Sequence, residues 1–247
     1  NCFALPDGRP FHAGTYYPKQ GWLKLLETVH YQYTTNTQKI EGYAAKLTQG
    51  IRLQETAISD AAANELHTKN VQLAVEQWKH QWDMKRGGIN KAPKFPMPSN
   101  YNFLLSYVYL FNDVCTQDFI ATSLKEMAYG GIYDQIGGGF SRYSVDSIWK
   151  VPHFEKMLYD NAQLLTIYAK AYQQSGDKLY KKVIDQTIGW LTREMLDESG
   201  MFYAALDADS EGEEGKFYVW NEQEVKSILG DDFTLAQFHY QLGEKGL

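Results

Sequence analysis

Residues 130–164 read GGIYDQIGGGFSRYSVDSIWKVPHFEKMLYDNAQL, and the rest of the chain is organised around them. Gly130, Gly131, Gly137, Gly138 and Gly139 crowd the first half, which has no helical or alternating apolar period. A loop is therefore expected over residues 130–152. A loop of this length without structure of its own is uncommon inside a compact domain unless it has a function. Helix is expected to return near Phe154, with Met157, Leu158, Leu164, Leu165, Tyr168 and Tyr172 on its buried side.

The sequence on both sides is helical in pattern. Upstream, Val71, Ala74, Val75, Trp78 and Trp82 share a stripe that Gly87-Gly88 ends. Pro93, Pro96 and Pro98 keep the next stretch extended, because proline disfavours helix in the residue before it. Ser99 or Asn100 is expected to cap a helix carrying Phe103, Leu104, Tyr107, Val108 and Phe111. Another helix follows over about 116–129, with Phe119, Ile120, Leu124 and Met127 inward. Downstream, Gly176-Asp177 reads as a helix stop followed by an N-cap, and the partner helix carries Leu179, Val183, Ile184, Ile188, Leu191 and Met195. Residues 201–206 and 216–220 are expected to pair as a hairpin around an acidic loop. Asn221 with Glu224 is a capping box for a helix that ends at Gly230. Antiparallel helix pairs with long loops on one side are how helical bundles and toroids are built.

Residues 1–18 differ. Residues 1–5 suit a short strand, Pro6-Asp7-Gly8-Arg9 a turn, and residues 11–17 a returning strand that Pro18 ends. A helix over about 21–50, continuous or once interrupted, follows with Trp22, Leu25, Leu26 and Val29 on one face. The fold class is mainly α with a short N-terminal β-hairpin.

Composition narrows the functions. The 247 residues carry a net charge of −6 with no basic stripe, which argues against nucleic acid as a partner. No apolar run approaches the roughly 18 residues that span a bilayer, so no membrane partner is expected. Cys2 and Cys115 form no CxxC pair, and the sparse cysteine fits a cytoplasmic, reducing compartment. The chain opens on Asn1 rather than Met and is expected to be a piece of something longer. The motif set calls for no cofactor and no metal: there is no P-loop, no HExxH, no nucleophile elbow, and no glycine fingerprint placed between a strand and a helix.

Three segments fall outside the helical periodicity. In residues 87–96, glycines and prolines could present Lys94 to a pocket, or simply form a rigid connector. In residues 130–161, Asp134, Arg142, His153, Glu155 and Asp160 accompany Tyr133, Tyr143 and Trp149, a mixture that can hold a polar ligand between rings and hydrogen-bonding groups. With a helix starting near Phe154, His153 would stand at its mouth and Asp160 two turns below on nearly the same side. In residues 207–215, Asp207 and Asp209 begin like a calcium loop, but Tyr218 occupies the twelfth position, where an EF-hand needs Glu. A solvated acidic turn, a looser metal site, or a carboxylate reaching the pocket remain as readings of that loop.

The same segments, APKFPMP (92–98), the string over 130–164 and DADSEGEEGKFYVW (207–220), resemble the family of thioredoxin domain-containing, spermatogenesis-associated protein 20-like proteins. That resemblance implies a thioredoxin-like domain followed by a six-hairpin glycosidase-like α/α toroid. On that frame residues 1–55 are the C-terminal remnant of the first, and residues 56–247 a partial toroid. Gly87-Gly88-Ile89-Asn90 departs from the family's usual Gly-Gly-Phe-Gly before the APKFP string. A toroid implies a carbohydrate-type pocket, although a fold hosts many functions.

Two functions follow. In a sugar epimerase, isomerase or glycosidase, His153, Glu155, Asp134 and Asp160 would be catalytic. Arg142 and Lys94 would hold oxygens, Tyr133, Tyr143 and Trp149 would stack on the sugar, and Asp207 or Asp209 would reach the ligand. Alternatively the chain is a non-catalytic binding or redox-partner module. The partner expected is a carbohydrate small molecule, with self-association or the remainder of a longer chain covering apolar helix faces.

Overall fold

The computed structural model describes residues 1–55, 67–240 and 242, and the chain separates into two units, Asn1–Asn70 and Val71–Leu247. The domain boundary expected after residue 55 falls at residues 56–66, outside the described set.

In the first unit, β1 (Cys2–Ala4) pairs antiparallel with β2 (Pro10–Ala13). Gly8 supplies the positive φ that the turn needs, at 87°. The second strand stops at Ala13, short of Tyr17, although Gly14 N–H still reaches the carbonyl of Asn1. The expected helix is two, α1 (Lys19–Thr35) and α2 (Thr37–Glu55), broken at Asn36. Leu5, Phe11 and Ala44 form the small core, with Phe3, Val29, Tyr33 and Ile40 against it.

The second unit takes in most of α3 (Thr68–Lys79) and then α4 (Pro98–Phe111), α5 (Val114–Tyr129), α6 (Leu158–Ser175) and α7 (Lys178–Trp190), which runs on into a π-turn at Leu191–Met195. Helices α4 and α5 form one hairpin, α6 and α7 the next. The first helix of each hairpin packs on the first of the other, and the second on the second. This side-by-side repetition is a sector of an α/α toroid. Leu104, Leu124, Met127, Leu164, Ile167 and Tyr168 fill its core.

Several helix ends follow the expected chemistry, and one does not. Gly176 takes the left-handed conformation and Asp177 caps α7 through Leu179 N–H. Asp113 caps α5 through Thr116 N–H. Neither Ser99 nor Asn100 caps α4: Pro98 occupies its first position, where a missing N–H costs nothing, and left-handed Met97 precedes it.

The larger departure lies after the glycine-rich loop. Helix α6 begins at Leu158, not near Phe154, because the intervening backbone is drawn into strand pairs. β3 (Tyr143–Ser144) pairs with β4 (Pro152–His153), and β5 (Lys156–Met157) with β6 (Ala205–Leu206). His153 is therefore a strand residue facing Tyr143, not the mouth of a helix. The hairpin expected between residues 201–206 and 216–220 does not form either. β7 (Asp209–Ser210) and β8 (Glu213–Glu214) close inside the acidic loop itself, around Glu211 and Gly212, both at positive φ as a tight primed turn requires. Helix α8 (Glu222–Leu229) carries the capping box and ends at Gly230, and α9 (Phe233–Tyr240) follows. Among the described residues no helix is long and apolar enough to cross a membrane.

Candidate functional site

Buried polar side chains hold the glycine-rich loop in place. The amide of Asn161, fully buried in the first turn of α6, accepts Phe140 N–H at 2.7 Å and donates to the Phe140 carbonyl at 2.9 Å. Asp146 gathers the backbone N–H groups of Ile148, Lys150 and Val151. Burial opposes ionisation of its carboxyl, but those hydrogen bonds prevail and hold it below the usual carboxylate range.

Three residues expected to face a ligand are enclosed in the fold instead. Lys94 is buried and gives its ammonium to Asp83 at 2.8 Å and the Gly87 carbonyl at 2.6 Å, so its charge is spent on the connector. Trp149 is fully buried and donates its indole N–H to the Arg86 carbonyl. Tyr133 is buried with its hydroxyl on Gln186.

Asp134 also lies elsewhere. Its carboxylate caps the Gly137 turn and pairs with Lys156 at 2.8 Å. Lys156 is itself buried, bonded to the Gly138 carbonyl and enclosed by the rings of Trp190 and Tyr218 at 5.1 and 4.8 Å. Burial pushes the Lys156 ammonium down, against the pull of Asp134. Nothing in the spacing marks Lys156 as buried; it reads as one more polar residue near a helix start.

The remaining candidates converge. Arg142 Nη1 binds Glu155 Oε2 at 2.7 Å, and the backbone N–H of Arg142 donates to the Glu155 carbonyl. His153 Nε2 stands 3.9 Å from the same carboxylate oxygen. The His153 ring stacks on Tyr143 at 4.9 Å, and Tyr143 stacks on Phe95 at 4.7 Å. Phe95 in turn walls a solvent-open recess whose lining includes Met97, Ser99, Arg142, Tyr159 and Asp160, with Tyr143, His153 and Glu155 beside it rather than in its lining. Asp160 Oδ2 is buried without a hydrogen-bond partner. Burial raises the Asp160 carboxyl above its ordinary value, Arg142 opposing and Glu155 adding to the rise.

The acidic loop contributes a residue that the spacing did not indicate. Asp207 and Asp209 are exposed and outside the recess lining, Asp207 capping Asp209 N–H. Glu214 places Oε1 2.7 Å from His153 Nδ1. The two are 61 positions apart in sequence, so only the strand pairing reveals the contact. Among the described residues no group of three or more His, Cys, Asp or Glu is arranged to hold a metal ion.

No protein-family model matches the chain. Spermatogenesis-associated protein 20 of Mus musculus is 36% identical over 279 residues, spanning 100% of this chain and 35% of its own length. The Homo sapiens protein of that name is 34% identical over 275 residues with the same coverage. An uncharacterized protein of Caenorhabditis elegans is 34% identical over 251 residues, 94% of this chain and 34% of its own length. The chain thus spans about a third of the length of the curated relatives it matches. Among solved structures, a cellobiose 2-epimerase from Spirochaeta thermophila is 19% identical with a TM-score of 0.47, covering 67% of this chain and 49% of its own. A family 76 glycoside hydrolase from a Bacteroides thetaiotaomicron strain is 13% identical with a TM-score of 0.44, covering 70% and 42%.

Proposed function

Taking the chain as a homologue, along its whole length, of the spermatogenesis-associated protein 20 family, we propose that the recess beside Arg142 and Asp160 binds a carbohydrate and supports proton transfer on it. The observation that carries this reading is a recess lined by Arg142, which pairs with Glu155, and by Asp160, whose buried Oδ2 has no hydrogen-bond partner, beside the Phe95–Tyr143–His153 stack. A sugar presents an apolar C–H face to a ring and a fringe of hydroxyls that donate and accept, which is what such a recess offers.

In an epimerase or isomerase reaction a group removes a proton beside a carbonyl and another returns it. His153 Nε2 suits the first task, because a neutral imidazole nitrogen carries a lone pair that accepts a proton. Asp160, whose carboxyl burial raises above its ordinary value, suits the second. Arg142 would hold the developing oxygen charge. A glycosidase-like reaction would use Asp160 as acid and Glu155 as the second carboxylate. Incorporation of solvent deuterium into recovered sugar separates the two: proton exchange supports the first, release of a reducing end without exchange the second.

One observation favours binding without catalysis. Arg142 with Glu155 and His153 with Glu214 already satisfy one another without a ligand. In that case the recess recognises a sugar or a partner; Cys2 and Cys115 are exposed free thiols, one in each unit. Exposed apolar side chains such as Tyr109, Leu110, Leu235 and Phe238 then mark surfaces for a second copy or a further segment.

Thermal stabilisation by a panel of mono- and disaccharides tests the proposal. A sugar-dependent rise in melting temperature, abolished by His153→Ala and by Arg142→Met but kept by His30→Ala, supports it. No rise with any sugar removes the carbohydrate reading.

A further inference from the structure

We infer that Glu214 is a positioning residue for His153, so that the acidic hairpin β7–β8 supports the Arg142–Glu155–His153 cluster beside the recess; the inference rests on His153 serving as the proton-transfer group of the proposed reaction. A carboxylate only accepts hydrogen bonds. With Glu214 Oε1 2.7 Å from Nδ1, the proton of the neutral ring belongs on Nδ1, and the lone pair is left on Nε2. Nε2 faces Glu155 Oε2 across 3.9 Å, too long for a direct hydrogen bond. The two atoms are too close for an oxygen to stand between them, so a ligand hydroxyl or a water would bond to both from one side. Glu155 is held by Arg142, and Tyr143 stacks on the ring within 18° of parallel, so the imidazole is fixed in plane as well as in tautomer. The charged groups facing it are Glu214 from β8, Glu155 beside β5, and Arg142 behind Glu155.

The hairpin is held so that Glu214 arrives there. Gly215, next in sequence, donates its N–H to the carbonyl of buried Ala208. A Cβ at Gly215 would come within 2.5 Å of the Phe154 ring. Phe154 lies between His153 and Glu155 in sequence and stacks on Tyr218, four residues beyond Glu214. The close approach of Gly215 to Phe154 therefore holds the carboxylate of one segment against the imidazole of the other.

Imidazole nitrogen NMR on the full chain, at a pH where the rings are neutral, tests this. In the unsubstituted protein His153 is expected to carry its proton on Nδ1. Glu214→Ala is expected to move that proton largely to Nε2, whereas Glu214→Gln, whose amide oxygen still accepts, restores Nδ1–H. The other histidines serve as internal references. An Nε2–H tautomer in the unsubstituted protein, or no change in Glu214→Ala, overturns the assignment. Saccharide-dependent stabilisation read on the same samples keeps the two claims apart. Tautomer control without any sugar response leaves Glu214 assigned and removes the carbohydrate reading. A sugar response with no tautomer change in Glu214→Ala does the reverse.

Discussion

Replacing Asn161 by Ala is expected to release the glycine-rich loop from α6. The side-chain amide is the hydrogen-bond partner of both the N–H and the carbonyl of Phe140, at 2.7 and 2.9 Å, and Phe140 is itself about 1% exposed. Truncation leaves a buried donor and a buried acceptor with no water to turn to. Each such group costs about 1–3 kcal/mol, so the loss should fall at roughly 2–6 kcal/mol. At about 2–4 °C per kcal/mol for a chain of this size, a loss of about 3 kcal/mol lowers the melting temperature by roughly 6–12 °C. Asn161→Asp keeps the acceptor for Phe140 N–H but places a carboxylate oxygen against the Phe140 carbonyl, and should be no better than Ala at neutral pH. Urea unfolding followed by tryptophan fluorescence measures both variants, since Trp149 sits buried in the same loop. An Asn161→Ala loss below about 0.5 kcal/mol would refute the account of how the loop is held.

Lys156→Met should destabilise the second unit by about 3–5 kcal/mol, because it leaves Asp134 without its buried partner; Asp134→Asn, which keeps a polar group there, should cost less, and denaturant midpoints check the order. Asp160 has the opposite sign from an ion-paired carboxylate. Its folded-state pKa is raised, so the folded protein holds that proton more tightly than the unfolded chain does, and stability falls as pH rises from the ordinary carboxylate value through the folded one. Asp160→Asn should therefore gain on the unsubstituted protein from about pH 4 upward and show no gain below it; a gap that is flat or reversed across a pH series of urea melts would contradict this. Gly139→Ala would set a Cβ 2.7 Å from the Trp190 ring at φ 84°, while Gly176→Ala meets nothing within 4 Å at φ 67°. The second should cost about 1 kcal/mol for the left-handed backbone alone, and the first about 1–3 kcal/mol more; equal melting temperatures would refute the packing argument.

The helices were legible because their signals are local. The stripe through Phe119, Leu124 and Met127, the stop at Gly176 and the capping box at Asn221 each act within a few residues, and each is found in the structure. The path of residues 152–157 was not legible. It is decided by pairing with Ala205–Leu206, some fifty positions away, and that pairing delays α6 to Leu158. The site was read in part for the same reason. Arg142, His153 and Glu155 are close in sequence and meet through one strand pair. The roles of Lys94 and Lys156 are not legible because a lysine in sequence reads as a free cation, whereas here each ammonium is buried against a carboxylate, a backbone carbonyl and an indole ring. Trp149 and Tyr133 misled in the opposite sense, since an aromatic ring beside polar residues gives no sign of whether it faces solvent or the core.

Amide chemical-shift mapping with an isotope-labelled full chain, titrated with the saccharides of the panel, tests the proposed recess most directly. Perturbations concentrated at residues 95–99, 142–143 and 153–160 are predicted. Perturbations absent from that recess, or confined to other surfaces, would contradict a carbohydrate pocket built on Arg142 and Asp160.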